Sequence, residues 1–299
     1  MKFFYSVLCC IVMQAAHANC GPPAPKFTSE FMKQMLPLAQ DRGLLFAARK
    51  GPSVTWLYGT IHVAKPEWSI PGPHLRKLFF NPRYLALEVD LLNSSTQNII
   101  GQEAATGDSN GQPLSAGLKR LAFANCVNYS ILATSNSATV ISAVEANQAR
   151  LIGLFPEYGI DIVLAGAARA RHIDIEQLES PYGRQSIEQG EVKNSETSMV
   201  QVEAALTSGQ AKDDLMQISE GWAQSSLKTL EESGYFRNIP ADMEAQRSLR
   251  NQHLASAIDQ LVVKRGGGGI VAIGVLHLVG ENSVLKFIEE RGYEVNRVY

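Results

Sequence analysis

One short pattern occurs twice, near opposite ends of the chain, and it limits how the chain can close. Trp56-Leu57-Tyr58-Gly59-Thr60-Ile61-His62-Val63 and Val271-Ala272-Ile273-Gly274-Val275-Leu276-His277-Leu278 both run three apolar residues, glycine, two residues, histidine, apolar residue. The offset between them is 215 residues. Each copy ends an apolar run, Ser53 to Val63 and Ile270 to Leu278, of the composition that forms a buried strand. Ligands of open α/β sheets sit beyond such strand ends. Two of these strands in one sheet would carry His62 and His277 to a shared crevice, with glycine permitting close backbone approach.

A third strand, Tyr84 to Leu91, contains Glu88 within the otherwise apolar YLALEVDL. A carboxylate buried in such a run is costly unless it is paired or holds a metal. Two histidines and a carboxylate make a first shell for a divalent cation (manganese, cobalt or zinc), leaving positions for water and substrate. Water on that cation would be acidified into a nucleophile for amide or ester hydrolysis.

Between the strands the chain reads as helical. Leu114 to Ala124, Ser137 to Leu154 and Ile160 to Arg171 carry apolar residues three and four apart, and longer helices are expected over about 199–233 and 242–263. Phe31 to Ala39 and Gly72 to Phe80 are shorter helix candidates. His172 to Leu178 reads as a strand, Gln102 to Pro113 as a polar loop, and Gly183 to Ser198 as a loop or exposed helix. Gly266 to Gly269 ends the last long helix; with no Lys-Ser/Thr after it, it is a turn and not a phosphate loop. Val284 to Arg291 and Tyr293 to Val298 close the chain as helix and strand. The order predicts an α/β fold whose sheet core is built from both chain ends, with a helical insertion over about 114–263 inside one domain spanning 43–299.

Residues 1–18, MKFFYSVLCCIVMQAAHA, combine one lysine, a short apolar run and an Ala-His-Ala site, the pattern of a cleaved secretory signal. Residues 19–42 then form a proline-bearing leader and helix. Cleavage leaves Cys20 and Cys126, which in an oxidising compartment suggest one disulfide. The expected location is periplasmic or secreted, with no membrane span left after cleavage. A formal charge of −2 and a pI near 6.3 give no electrostatic footprint for nucleic acid. His74 follows Pro73 in a polar segment and reads as a surface residue, and His172 and His253 have no companion at ligand spacing. Asp161, at the start of a helix, reads as an N-terminal cap.

The paired motifs with a strand-borne glutamate after the first resemble the TraB/GumN group, which includes the Tiki proteases and is distantly similar to the EreA esterases and ChaN haem-binding proteins. Tyr158-Gly159-Ile160-Asp161, Gln177-Leu178-Glu179, Arg250-Asn251, and Gly274 to Gly280 with Arg291-Gly292-Tyr293-Glu294-Val295 extend the likeness over roughly 43–299. Val279 stands where the group usually has proline, and Leu249 where an acidic residue often precedes the Arg-Asn pair. The resemblance implies an EreA/ChaN-like sheet core and a metal-dependent, peptidase-like hydrolase acting on a peptide or protein. By carry-over, His62, Glu88 and His277 form the metal centre, Glu88 being ligand or general base, and Arg250 stabilises the oxyanion. The ChaN likeness also implies an alternative, second to the hydrolase, of a non-enzymatic haem- or metal-binding or interaction protein on the same fold.

Overall fold

A computed structural model of the chain describes residues 20–105, 114–128, 135–180 and 196–299. The expected signal segment, most of the polar loop and most of the Gly183 to Ser198 stretch lie outside these residues. Among the described residues, six strands form one mixed sheet: β1 (Leu45–Lys50), β2 (Ser53–Thr60), β3 (Leu85–Leu87), β4 (Ile175–Gln177), β5 (Ile270–Gly274) and β6 (Glu294–Arg297), in the order β4-β3-β5-β2-β1-β6. β4, β3, β5 and β2 are mutually parallel, while β1 runs antiparallel to both β2 and β6. The protein is therefore α/β, with five strands from the two ends of the chain and β4 from its middle, inside the stretch read as a helical insertion.

Strand composition follows position. Ile270, Val271, Ala272 and Ile273 of β5 are all fully buried, as a central parallel strand covered on both faces must be. β1 is buried over Leu45–Ala48, then exposed at Arg49 and Lys50, where it turns through Gly51 and Pro52 into β2. The sequence shows no strand signal here. The apolar run 84–91 reads as a strand throughout, whereas β3 ends at Leu87, after three pairs with β4 and three with β5. Glu88 thus lies just beyond the carboxyl end of β3 rather than inside it. The second motif is shortened likewise: β5 ends at Gly274, and Val275–Leu278 is a single 3-10 turn. Gln102 also belongs to a helix, Ser94–Ala105, and not to the loop read from 102 onward.

The Ala241–Arg265 helix is stabilised at both ends, by Asp242 and Glu244 in its first turn, Lys264 and Arg265 in its last, and Gly266 at φ 77° beyond. Leu254, Ile258 and Leu261 from this helix, with Ile160, Leu164 and Ala168 from the Ile160–Ala170 helix, pack in one core with the sheet. Leu118, Ala122, Val140, Val144 and Leu206 form a second, separate cluster among three helices, Ala116–Ala124, Ser137–Leu151 and Glu196–Ser208. Cys20 and Cys126 are disulfide-bonded, with Cα atoms 5.5 Å apart, tying the leader to this second cluster. No helix among the described residues is long and apolar enough to cross a membrane.

Candidate functional site

β2 and β5 are neighbours in parallel register, Gly59 opposite Ile273 and Thr60 opposite Gly274. The two motifs therefore finish at the same edge of the sheet, staggered by one residue. Their glycines are required by approach distance. A Cβ on Gly59 would lie 2.9 Å from Val275 Cγ2 and 3.1 Å from its Cα. A Cβ on Gly274 would lie 3.3 Å from Glu88 Oε1, 3.5 Å from His277 Cδ2 and 3.8 Å from His62 Nε2. Gly274 is thus the point around which His62, Glu88 and His277 gather.

Glu88 is buried, and both its oxygens are engaged. Oε1 accepts from the Gly274 amide at 2.6 Å, Oε2 accepts from Arg250 at 2.6 Å, and His277 Nε2 lies 3.8 Å from Oε1. Burial alone would raise its pKa, but His277, Arg250, His62 and the Gly274 amide outweigh it and hold the carboxyl at about 2. Burial drives the His277 pKa down to about 4 despite the neighbouring Glu88 carboxylate. At neutral pH His277 is therefore uncharged, and the cation facing Glu88 is Arg250.

Arg250 spans two carboxylates. Its Nε and a terminal nitrogen meet Glu179 at 2.9 and 2.7 Å, and that same nitrogen meets Glu88. Glu179 reaches this position because its backbone amide donates to the Glu88 carbonyl at 2.9 Å, prolonging the alignment of β4 with β3.

His62 is exposed, with 61% of its side chain accessible, and its Nδ1 sits 2.7 Å from Asp161 Oδ2. Asp161 is not the helix cap that the sequence suggested. Gly159 occupies the cap position without any side-chain bond, and Asp161, the second residue of the helix, accepts from Thr60 Oγ1 at 2.5 Å and also meets His62. His277 is held in the same way from behind, its Nδ1 being 2.5 Å from Asn251 Oδ1. Both rings are thus gripped through Nδ1, the arrangement common among metal-ligating histidines. Among the described residues, however, no group of three or more His, Cys, Asp and Glu side chains stands as a converged metal-ligand set. His74 pairs with Asp41 at 2.6 Å, away from these groups, and is exposed.

The sequence carries no signal for the roles of Thr60 and Asp161 or for the Asn251 bond to His277: the Gly-Ile-Asp and Arg-Asn segments stand out in it, but their partners lie 99 and 26 residues away.

Fold and site together define an α/β protein with two histidines, a buried glutamate and an arginine gathered at the carboxyl ends of parallel strands. A profile of the TraB/PrgY/gumN family matches residues 44–297, and the chain belongs to that family. It is also similar to "Uncharacterized protein YbaP" of Escherichia coli (strain K12) and of Shigella flexneri. Each is 24% identical over 261 residues, covering 80% of this chain and 95% of the relative. No solved structure matches.

Proposed function

We propose that the protein is a metal-dependent hydrolase of peptide amide bonds, working in the periplasm or outside the cell. The observation that carries this reading is the meeting of His62, Glu88 and His277 around Gly274 at the carboxyl end of the sheet. The donor chemistry fits a divalent cation of the manganese, cobalt or zinc kind: two imidazoles held through Nδ1 and a carboxylate held in its charged form. A cation bound there supplies Lewis-acid polarisation of a carbonyl and acidification of water. The Cys20–Cys126 disulfide supports an oxidising compartment.

The chain's own groups take distinct parts. Glu88, held near 2, is a poor proton acceptor at neutral pH, which favours a ligand or charge-presenting role over that of general base. Arg250, already engaged by Glu88 and Glu179, serves as the clamp that keeps Glu88 charged and in place. Asp161, itself bonded by Thr60, orients His62, whose ring is open to solvent.

The test is metal content of the protein purified without chelator, beside His62→Ala and His277→Ala, followed by cleavage of a peptide library with and without added cation. Near-stoichiometric metal lost in both variants, with cation-dependent cleavage in the parent, is expected. Failure to take up manganese, cobalt or zinc sinks the hydrolase reading. A Soret band on addition of haem would replace it with a haem-binding role.

A further inference from the structure

The His277 ring is oriented by side chains of the Ala241–Arg265 helix rather than by its own turn. Asn251, fully buried, directs its Oδ1 at His277 Nδ1 and donates from Nδ2 to the Asn282 carbonyl at 2.6 Å. The second bond decides which way the amide faces, nitrogen to the carbonyl and oxygen to the ring. An amide oxygen only accepts, so the ring hydrogen sits on Nδ1 and the neutral imidazole keeps a lone pair on Nε2.

Neighbouring groups hold this frame rigid. Arg247 donates to the Leu276 and Val279 carbonyls at 3.3 and 3.2 Å, one on each side of His277. Its other nitrogens bind Glu244 at 2.7 and 2.8 Å, and Glu244 Oε1 accepts from Asn282 Nδ2 at 3.0 Å. Residues 244, 247 and 251 lie on one helix face, three and four apart. The bonds close a loop from the helix to the turn and back.

We propose that Asn251 is a positioning residue that fixes His277 in the Nδ1–H tautomer, keeping Nε2 as an electron-pair donor 3.8 Å from Glu88 Oε1. Its use in binding a cation rests on the hydrolase reading; the tautomer itself does not. Without the Asn251 oxygen, the hydrogen can shift to Nε2 and bond Glu88, occupying two of the cation's donors with each other. The site then loses cation affinity while every proposed ligand remains in the chain.

The experiment is long-range 1H–15N correlation of the imidazoles in cation-free protein at neutral pH, with His277 assigned by His277→Gln, on the parent, Asn251→Leu and Asn251→Asp. The parent should show a pyrrole-type Nδ1 and a pyridine-type Nε2. Asn251→Leu should reverse or mix them, and Asn251→Asp, which retains an acceptor, should restore them. Zinc affinity by titration calorimetry should fall about 10- to 100-fold in Asn251→Leu. A parent carrying its hydrogen on Nε2 overturns the proposal, as does an unchanged pattern in folded Asn251→Leu. Should Asn251→Leu not fold, the parent spectrum and Asn251→Asp still decide. A parent with Nδ1–H that takes up no zinc defeats the hydrolase reading and leaves the tautomer assignment standing.

Discussion

Replacing Arg250 with methionine removes one cation from between two carboxylates whose side chains are buried. Its side chain is 18% exposed, against 9% for Glu88 and 7% for Glu179, so water replaces little of what is lost. Breaking a buried pair by deleting one partner costs about 3–5 kcal/mol, because the remaining charge stays buried without compensation. Glu88 keeps its Gly274 amide bond, which places the expected loss toward the lower end, about 3 kcal/mol at pH 7.

The pH dependence carries a sign. In the parent, the Glu88 pKa lies below its unfolded value, so its contribution to stability is fully present above about pH 4.3 and is lost as pH falls through about 2. Without Arg250, burial acts on Glu88 with less opposition and its folded pKa rises. The deficit of Arg250→Met is then largest at neutral pH and shrinks on acidification.

Urea melts in chelator at several pH values measure this directly. The triple variant Arg250→Met/Glu88→Gln/Glu179→Gln serves as the control in which no charge is stranded, and it should recover most of the loss. A loss under about 1 kcal/mol, far below that of a broken buried pair, would refute the reasoning. So would a deficit that is constant with pH or undiminished in the triple.

Trp222→Phe removes the indole N–H that donates to the Gly59 carbonyl at 2.8 Å from a buried position; calorimetry should register a loss of about 1–3 kcal/mol. Cys126→Ser opens a disulfide spanning 106 residues, for which loop closure gives roughly 5 kcal/mol, so its melting temperature should fall well below the parent's and become insensitive to reductant. Gly274→Ala brings a methyl group to 3.3 Å from Glu88 Oε1 and 3.5 Å from His277. It should leave circular dichroism unchanged while weakening cation uptake, as followed by titration calorimetry.

The repeated motifs were legible because β5 is buried and writes itself as an apolar run, because the carboxyl half of β2 is buried likewise, and because each copy carries a glycine at a close contact. β1 was not legible in LFAARK: its first four residues are buried and its last two exposed, so it carries neither a full apolar run nor an alternation. The Gly51-Pro52 turn beside it was the available signal. The Ser94–Ala105 helix has too few apolar residues to display a face. Within the site, Glu88 stood out by being charged in an apolar stretch. Asp161 and Asn251 did not, because an acid or amide on a helix has ordinary local explanations, and only the sheet shows that each ends against a histidine.

The placement of β5 between β3 and β2 has a consequence for biogenesis. A chain emerging from the ribosome or a translocon presents β2 and β3 long before the strand that separates them exists. Until residues 270–274 arrive, the carboxyl edges of β2 and β3 have no common neighbour, Glu88 lacks its Gly274 amide, and His277 is absent. Such long-range closure is slow and leaves apolar strand edges open to mispairing meanwhile. A nascent or prematurely terminated chain therefore lacks the assembled cluster of His62, Glu88 and His277, which can come together only once synthesis has passed residue 277.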